Sequence, residues 1–214
     1  MVVAPAQQRG TIVDRVVASL DGAAVTQSDV EQEYKLELFL EEGRVPDRVP
    51  DDKTFDAVLN RLIDQRLLAD QLEAAGLAKL DVRTAVTKRV GETRRRLQTE
   101  QAFRAALRSL GMDDNGLRAK LEMQVRILQM TDRRLRPDAK PSQSEIEAYY
   151  RTNFLPEFIR RGNGSPPPLP EVEDRIVDIL VQKKIGELLE AWLKELRSAH
   201  HIKVLYIKVL SGSS

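Results

Sequence analysis

Apolar residues recur along most of this chain at the spacing of an α-helix, and glycine or proline closes run after run. The clearest case is Phe55, Val58, Leu59, Leu62, Ile63 and Leu67, with Asp51 or Asp52 placed to cap the first turn and Gly76 to end the last. A 3.6-residue period buries one stripe against neighbouring helices and does not fit a strand, whose faces alternate every residue. Upstream, Thr26 and Asp29 have the spacing of a capping box, and Val30, Tyr34 and Leu38 carry a helix that Gly43 and Pro46 stop. Downstream, Asp81 opens a helix bearing Val82, Val86, Val90 and Leu97, and Thr99 caps a shorter one with Phe103, Ala106, Leu107 and Leu110, closed by Gly111. Asp113 or Asp114 starts a longer helix with Leu117, Leu121, Val125 and Leu128 on its face, flanked by Met123, Ile127 and Met130, and Pro137 marks its limit. Ser142 and Glu145 repeat the capping-box pattern before Ile146, Tyr149 and Tyr150, predicting a short helix. Val172, Ile176, Ile179, Leu180, Leu188, Trp192 and Leu196 predict a long helix with a broad apolar face.

Two segments break the helical pattern. Val16-Val17-Ala18-Ser19-Leu20 is β-prone, Asp21-Gly22 is a two-residue turn signal, and Ala23-Ala24-Val25 offers a return strand. Ile202 to Leu210 is rich in β-branched residues and needs a partner. The only other strand candidates lie near residues 12 to 25, so the expected fold class is mainly α: a helical module closed by a small antiparallel sheet of N-terminal hairpin and C-terminal strand. Between Leu155 and Pro170 the run LPEFIRRGNGSPPPLP holds five prolines and two glycines, which excludes helix or strand throughout and reads as a linker. The expected organisation is an N-terminal helical region 1–154, a Pro/Gly-rich linker 155–170, and a C-terminal helix and strand 171–214 completing the same module. Terminal strands so joined can pair within one chain or swap between two, and a swapped homodimer is expected.

The chain lacks the groupings that chemistry requires. With no cysteine, thiol catalysis, disulfides and thiolate metal sites are excluded. There is no phosphate-cradling glycine loop, no G-x-S-x-G, no H-E-x-x-H and no EF-hand spacing. The two histidines, His200 and His201, are adjacent at a helix end, where they suit the macrodipole better than a metal. The carboxylates sit beside Lys and Arg on helix faces, as surface ion pairs do. No enzymatic activity, cofactor, nucleotide or metal is expected. No run approaches the roughly 20 apolar residues of a membrane span. Ala4-Pro5-Ala6 followed by Gln7-Gln8 has the small-x-small form of a signal-peptidase site, which points to an envelope protein whose export signal has been removed.

A net charge of +1 conceals polarisation. Residues 1 to 82 hold 9 Lys/Arg against 16 Asp/Glu, residues 83 to 136 hold 14 against 6, and residues 137 to 214 hold 11 of each. Arg94-Arg95-Arg96 with Lys88, Arg89, Arg104, Arg108 and Arg118 gives an alternative reading, a helical nucleic-acid-binding protein using segment 83–136. No stacking aromatics accompany these charges, and an electropositive lobe facing clients or another subunit is preferred. Met112, Met123 and Met130, with Phe103 and Leu107, suit an adaptable apolar surface, although ordinary core accounts for the same residues.

Four stretches, in order, resemble the SurA and PrsA group of envelope chaperones, itself related in fold to the client-binding part of trigger factor. Val16 to Val30 looks like the family's opening of strand, Asn/Asp-Gly turn, strand and Thr-x-Ser-Asp helix start; Leu59 to Leu68 looks like its Leu-Ile-Asp-x-x-Leu-Leu helix. Pro141 to Tyr150 resembles the segment that precedes the parvulin-type isomerase domain, Val172 to Leu196 the helix that follows it, and Ile202-Lys203-Val204 the closing strand. Residues 83 to 136 match only in helical character. Where the family places its isomerase, this chain has 16 residues, too few for a domain. The resemblance implies an ATP-independent holdase of the periplasm, without isomerase activity, that binds unfolded or nascent envelope and outer-membrane proteins in an apolar cradle; a vestigial isomerase is a further alternative. Candidate client contacts are Phe39, Phe103, Leu107, Met112, Met123, Ile127, Met130 and Phe154.

Overall fold

The computed structural model describes residues 14–162 and 164–205. Strand β1 (Val16–Leu20) turns through Asp21 and Gly22 into β2 (Ala23–Thr26), and β3 (Ile202–Val204) pairs with the other edge of β1 in the same chain. The sheet order is therefore β2-β1-β3, antiparallel throughout, as the β-branched character of both ends predicts. Asp21 and Gly22 have φ of 48° and 88°, the doubly left-handed backbone that a two-residue hairpin demands. As the middle strand, β1 buries Val17 and Ala18 completely. The expected continuation of the last strand over Tyr206–Leu210 and the Ala4–Ala6 cleavage pattern lie outside the described residues.

The helices begin and end where local chemistry dictates. In α1 (Gln27–Glu42), Thr26 caps the N3 amide while Asp29 reaches back to the Thr26 amide, a complete capping box. Gly43 ends α1 with φ 73° and returns its N–H to the Phe39 carbonyl; a Cβ there would stand 3.3 Å from the Arg96 Cβ, so both backbone and space require glycine. Asp51 accepts from the Thr54 amide to start α2 (Asp52–Ala74). Next come α3 (Arg83–Leu97), α4 (Glu100–Ser109), capped by Thr99, and α5 (Asp114–Leu135), capped by Asp113 through the Gly116 amide. A short 3-10 turn at Arg136–Ala139, carrying Pro137, separates α5 from α6 (Gln143–Tyr149), which again opens on a full capping box, Ser142 with Glu145.

Beyond α6 the structure differs from the sequence expectation of a short helix followed by linker. The helix continues as a π-helical turn, Tyr150–Phe154, and then as α7 (Leu155–Arg160), well into the proline-containing run. The wide turn closes with the Leu155 N–H on the Tyr150 carbonyl, immediately before Pro156, whose missing N–H would otherwise break the α-helical ladder. Gly162 and Gly164, at φ 68° and 84°, then reverse the chain, and Ser165–Pro168 lead to α8 (Leu169–Ala199).

The described residues divide into two compact units. One contains everything up to Arg66, Thr84–Leu121 and the chain from Ala199; the other contains Leu67–Arg83 and Glu122–Ser198. In the first, the sheet unit, Val17, Val25, Val30, Leu36, Phe39, Ile63, Phe103, Leu117 and Leu121 are shut from solvent. In the second, Leu67 and Leu72 are fully buried, and Ile146, Ile176 and Leu180 form a cluster against which Tyr149, Tyr150, Phe154, Leu169, Val172 and Val177 pack. No helix of the described residues is long and apolar enough to cross a membrane.

Candidate functional site

Four of the chain's ten aromatic side chains fall within the ten residues from Tyr149 to Phe158, and three of them, Tyr149, Phe154 and Phe158, line one wall of a cleft in the second unit. Tyr150, Phe154 and Phe158 are four residues apart in succession. In a regular α-helix such neighbours are rotated by about 40°. The wider π turn brings the Tyr150 and Phe154 rings nearly parallel, 16° between planes with centroids 5.6 Å apart, and Phe158 continues the row at 5.7 Å from Phe154. The facing wall is α8, which presents Val172, Arg175, Ile176 and Ile179 at i, i+3, i+4 and i+7. The cleft measures about 370 Å³; Pro167 lines it from the connecting turn, and Asn153, Glu157, Arg161 and Arg175 bring polar groups to it.

The cleft is apolar and partly open. Phe154 and Phe158 are half-buried and Ile179 is 40% exposed. Tyr150 donates its hydroxyl hydrogen to the Pro167 carbonyl at 2.8 Å, which fixes the proline run against the aromatic row. At the rim, Glu157 accepts from Arg160 and Arg161, and these hydrogen bonds, the Arg160 one first, hold its carboxyl below the usual carboxylate range. That arrangement offers shape and ring faces, with the Tyr150 hydroxyl already engaged by the chain's own Pro167. Among the described residues no group of three or more His, Asp or Glu side chains is placed to hold a metal ion.

The eight residues singled out in the sequence are divided between the units. In the sheet unit Phe39 and Phe103 are core residues with ring centroids 6.0 Å apart, and Arg94 lies over the Phe103 ring at 4.7 Å. Leu107, on the same helix as Phe103, is buried and Met112 is half-buried; Phe103, Leu107 and Met112 line a shallow depression. In the second unit Ile127 and Met130 are buried, Met123 is 38% exposed, and Phe154 stands in the aromatic cleft. Sequence reasoning passed over Phe158 and treated Tyr149 and Tyr150 only as helix-packing residues; the i, i+4, i+8 spacing of Tyr150, Phe154 and Phe158 is the signal that finds the row.

The basic segment looks different in three dimensions. Arg94 pairs with Asp114 at 2.7 Å, Arg118 reaches the same carboxylate, and Arg104 pairs with Glu100. Arg96 hydrogen-bonds the Leu40 and Glu41 carbonyls, supplying the cation that the last turn of α1 lacks. Arg126 binds Glu122 and the Leu80 carbonyl, and Arg134 stacks over Trp192 at 4.5 Å. Cations engaged this way hold their own units together, which does not favour a phosphate-binding face. Asp21 receives the His201 amide at 2.7 Å and contacts His200 Nδ1 at 2.6 Å, so the histidines tie the start of β3 to the hairpin turn.

No protein-family model matches the chain, and no curated protein does. Among solved structures it is similar to a chain from the work describing the virulence factor PEB4 and the periplasmic protein Cj1289 of Campylobacter jejuni as two structurally related SurA-like chaperones; the two chains are 12% identical and superpose with a TM-score of 0.52 over 90% of this chain and 100% of that one. The fold of this chain is thus similar to that of a SurA-like chaperone.

Proposed function

We propose that this chain is an ATP-independent holdase of the periplasm, binding unfolded or nascent envelope proteins, those bound for the outer membrane among them, and catalysing no reaction on them. The observation that carries the reading is the fold likeness to a SurA-like chaperone along 90% of the chain. The half-open aromatic cleft supports it, since exposed ring faces and aliphatic side chains bind apolar stretches by area with little directional demand. Phe154 is the candidate contact assigned to this cleft, and Phe158, Tyr149 and Ile179 join it. Met112 and Met123 add accessible apolar side chains elsewhere; Phe39, Phe103, Leu107, Ile127 and Met130 would meet a client only if the core around them opened. A dimer formed by exchange of β3 between two copies belongs to the same proposal, and a monomeric mass by light scattering at high concentration removes it.

The deciding experiment dilutes a urea-unfolded outer-membrane protein into buffer with and without the chain and follows turbidity. Suppression near equimolar chaperone, unchanged by added ATP and weakened by Phe154→Asp, is the expected result. Unabated aggregation would end the holdase reading.

A further inference from the structure

The proline run is more than a connection. Pro166, Pro167 and Pro168 are three consecutive residues without a backbone N–H, each with φ held near −65° by its ring, so they pre-order an extended segment of three carbonyls, of which that of Pro168 accepts the Glu171 N–H at 3.0 Å as α8 begins. One of those carbonyls, that of Pro167, receives the Tyr150 hydroxyl at 2.8 Å, and Pro167 itself lines the aromatic cleft. An aromatic row with a hydroxyl aimed at a proline carbonyl is the physical basis on which extended proline-rich peptides are gripped: the rings stack on the flat pyrrolidines, and little entropy is lost because the ligand is already extended. In this chain the partner of that grip is its own segment.

We propose that the cleft is a recognition site for extended, proline-containing peptide segments, and that the Pro166–Pro168 run, which lines it through Pro167, is its resident ligand, displaced when a client segment enters. The inference rests on the holdase reading for the identity of the cleft and goes beyond it in naming the class of segment preferred. The resident is tethered on both sides, by α7 through the Gly162 and Gly164 turns and by α8 from Leu169. Tethering gives it an effective concentration on the order of millimolar or higher, so it competes with a free peptide while costing nothing in diffusion. Charged Arg161, Arg175 and Glu157 at the cleft would hold a displacing peptide in solution at its polar flanks.

The test uses the full chain and two fluorescein-labelled decapeptides, one with a Leu-Pro-Pro-Leu-Pro centre and one with alanine at each proline, titrated by anisotropy. The proline peptide is expected to bind at least about fivefold tighter. Replacing the resident with P166S/P167S/P168S, which keeps tether length and leaves Leu169-Pro170 to start α8, is expected to tighten the proline peptide a further threefold or so. Phe158→Ala is expected to weaken it, with the helical circular dichroism unchanged. Equal affinity for the two peptides, no binding of either, or a triple-serine variant that binds no tighter overturns the proposal. The wild-type peptide comparison stands even if that variant misfolds. Suppressed aggregation without a proline preference removes this inference and leaves the holdase reading; a proline preference without suppressed aggregation does the reverse.

Discussion

In the sheet unit the large rings are sealed: Phe39 and Phe103 are 0% and 1% exposed and face each other inside the core. In the second unit Tyr149, Phe154 and Phe158 stay half-buried along an open cleft, with the half-buried Tyr150 ring stacked on Phe154. The two regions use charge differently as well. Beside Phe103, Arg94 lies over the ring and pairs with Asp114 while Arg96 binds carbonyls of α1, whereas along the cleft Arg161 and Glu157 pair with each other on the α7 side. A ring that is closed in on every side contributes stability; a ring with one face in water contributes less and remains available to a ligand. Burial within each unit therefore separates aromatics that hold the structure from aromatics left open to a ligand, although both kinds carry the same residue types.

The sharpest way to break this contrast is a matched pair of truncations. Phe103→Ala should cost about 3–5 kcal/mol in urea unfolding, through the cavity left beside Phe39 and the loss of the ring face under Arg94. Phe158→Ala should cost about 1 kcal/mol or less while impairing suppression of aggregation. Equal costs would erase the distinction between the units' aromatics. A smaller effect is expected at Gly43: Gly43→Ala puts a side chain at φ 73° and a Cβ 3.3 Å from Arg96, for a loss of about 1–2 kcal/mol by the same denaturation. Because Arg96 is also the cation at the end of α1, that variant sharpens the claim that the basic run serves the sheet unit.

How legible each region is from sequence follows from the range of the interactions that make it. Both capping boxes, Thr26 with Asp29 and Ser142 with Glu145, and the Asp21-Gly22 turn are set by residues within four positions of one another, and each is observed where its pattern places it. The closing sheet is legible because the Asp21-Gly22 turn marks a hairpin at one end and the β-branched run from Ile202 at the other needs a strand to pair with. The cleft was harder to read. Proline and glycine between Leu155 and Pro170 signal a break, yet a π turn lets the helix run through Pro156 to Arg160, and only that continuation puts Phe158 in line with Phe154. Size and placement in the sequence select Phe154 together with Phe39 and Phe103, because the face that a helix covers depends on partners far away in the chain. The fate of the basic run is equally non-local: Arg94 finds Asp114 at 20 residues' distance and Arg96 finds Leu40 at 56.

Two acidic groups extend the comparison to pH. In the sheet unit Asp21 is held below its ordinary 3.8, first by the hydrogen bond with His200 and then by the His201 amide. A lowered folded-state value means a contribution present above pH 3.8 and lost as the pH falls through the depressed value. Asp21→Asn should therefore speed exchange of the Leu205 amide, which donates to Val17 across the β1–β3 pair, at neutral pH, and the difference from wild type should fade in acid. An unchanged exchange rate would show that strand pairing alone holds β3.

The smallest effect belongs to Glu145 in the second unit. Its carboxylate accepts from the Ser142 amide at 2.7 Å and the Ser142 hydroxyl at 2.8 Å, and pairs with Lys184 of α8 at 2.9 Å. These contacts, the Ser142 amide first, push it down from 4.5 to about 2. The sign is that of Asp21: stability from this group is full above pH 4.5 and disappears as the pH falls towards 2. Because the group is exposed, water and salt screen much of the Lys184 attraction, and the amide hydrogen bond at the helix start is the more durable part. Glu145→Gln should accordingly lower the melting temperature slightly at pH 7, with the gap narrowing below pH 4.5 and closing near pH 2. Raising salt at pH 7 should remove only the Lys184 share. If salt abolished the whole difference, α6 would be held at that end by its tie to α8 and not by its own cap, and the aromatic row that follows α6 would owe its placement to the helix facing it across the cleft.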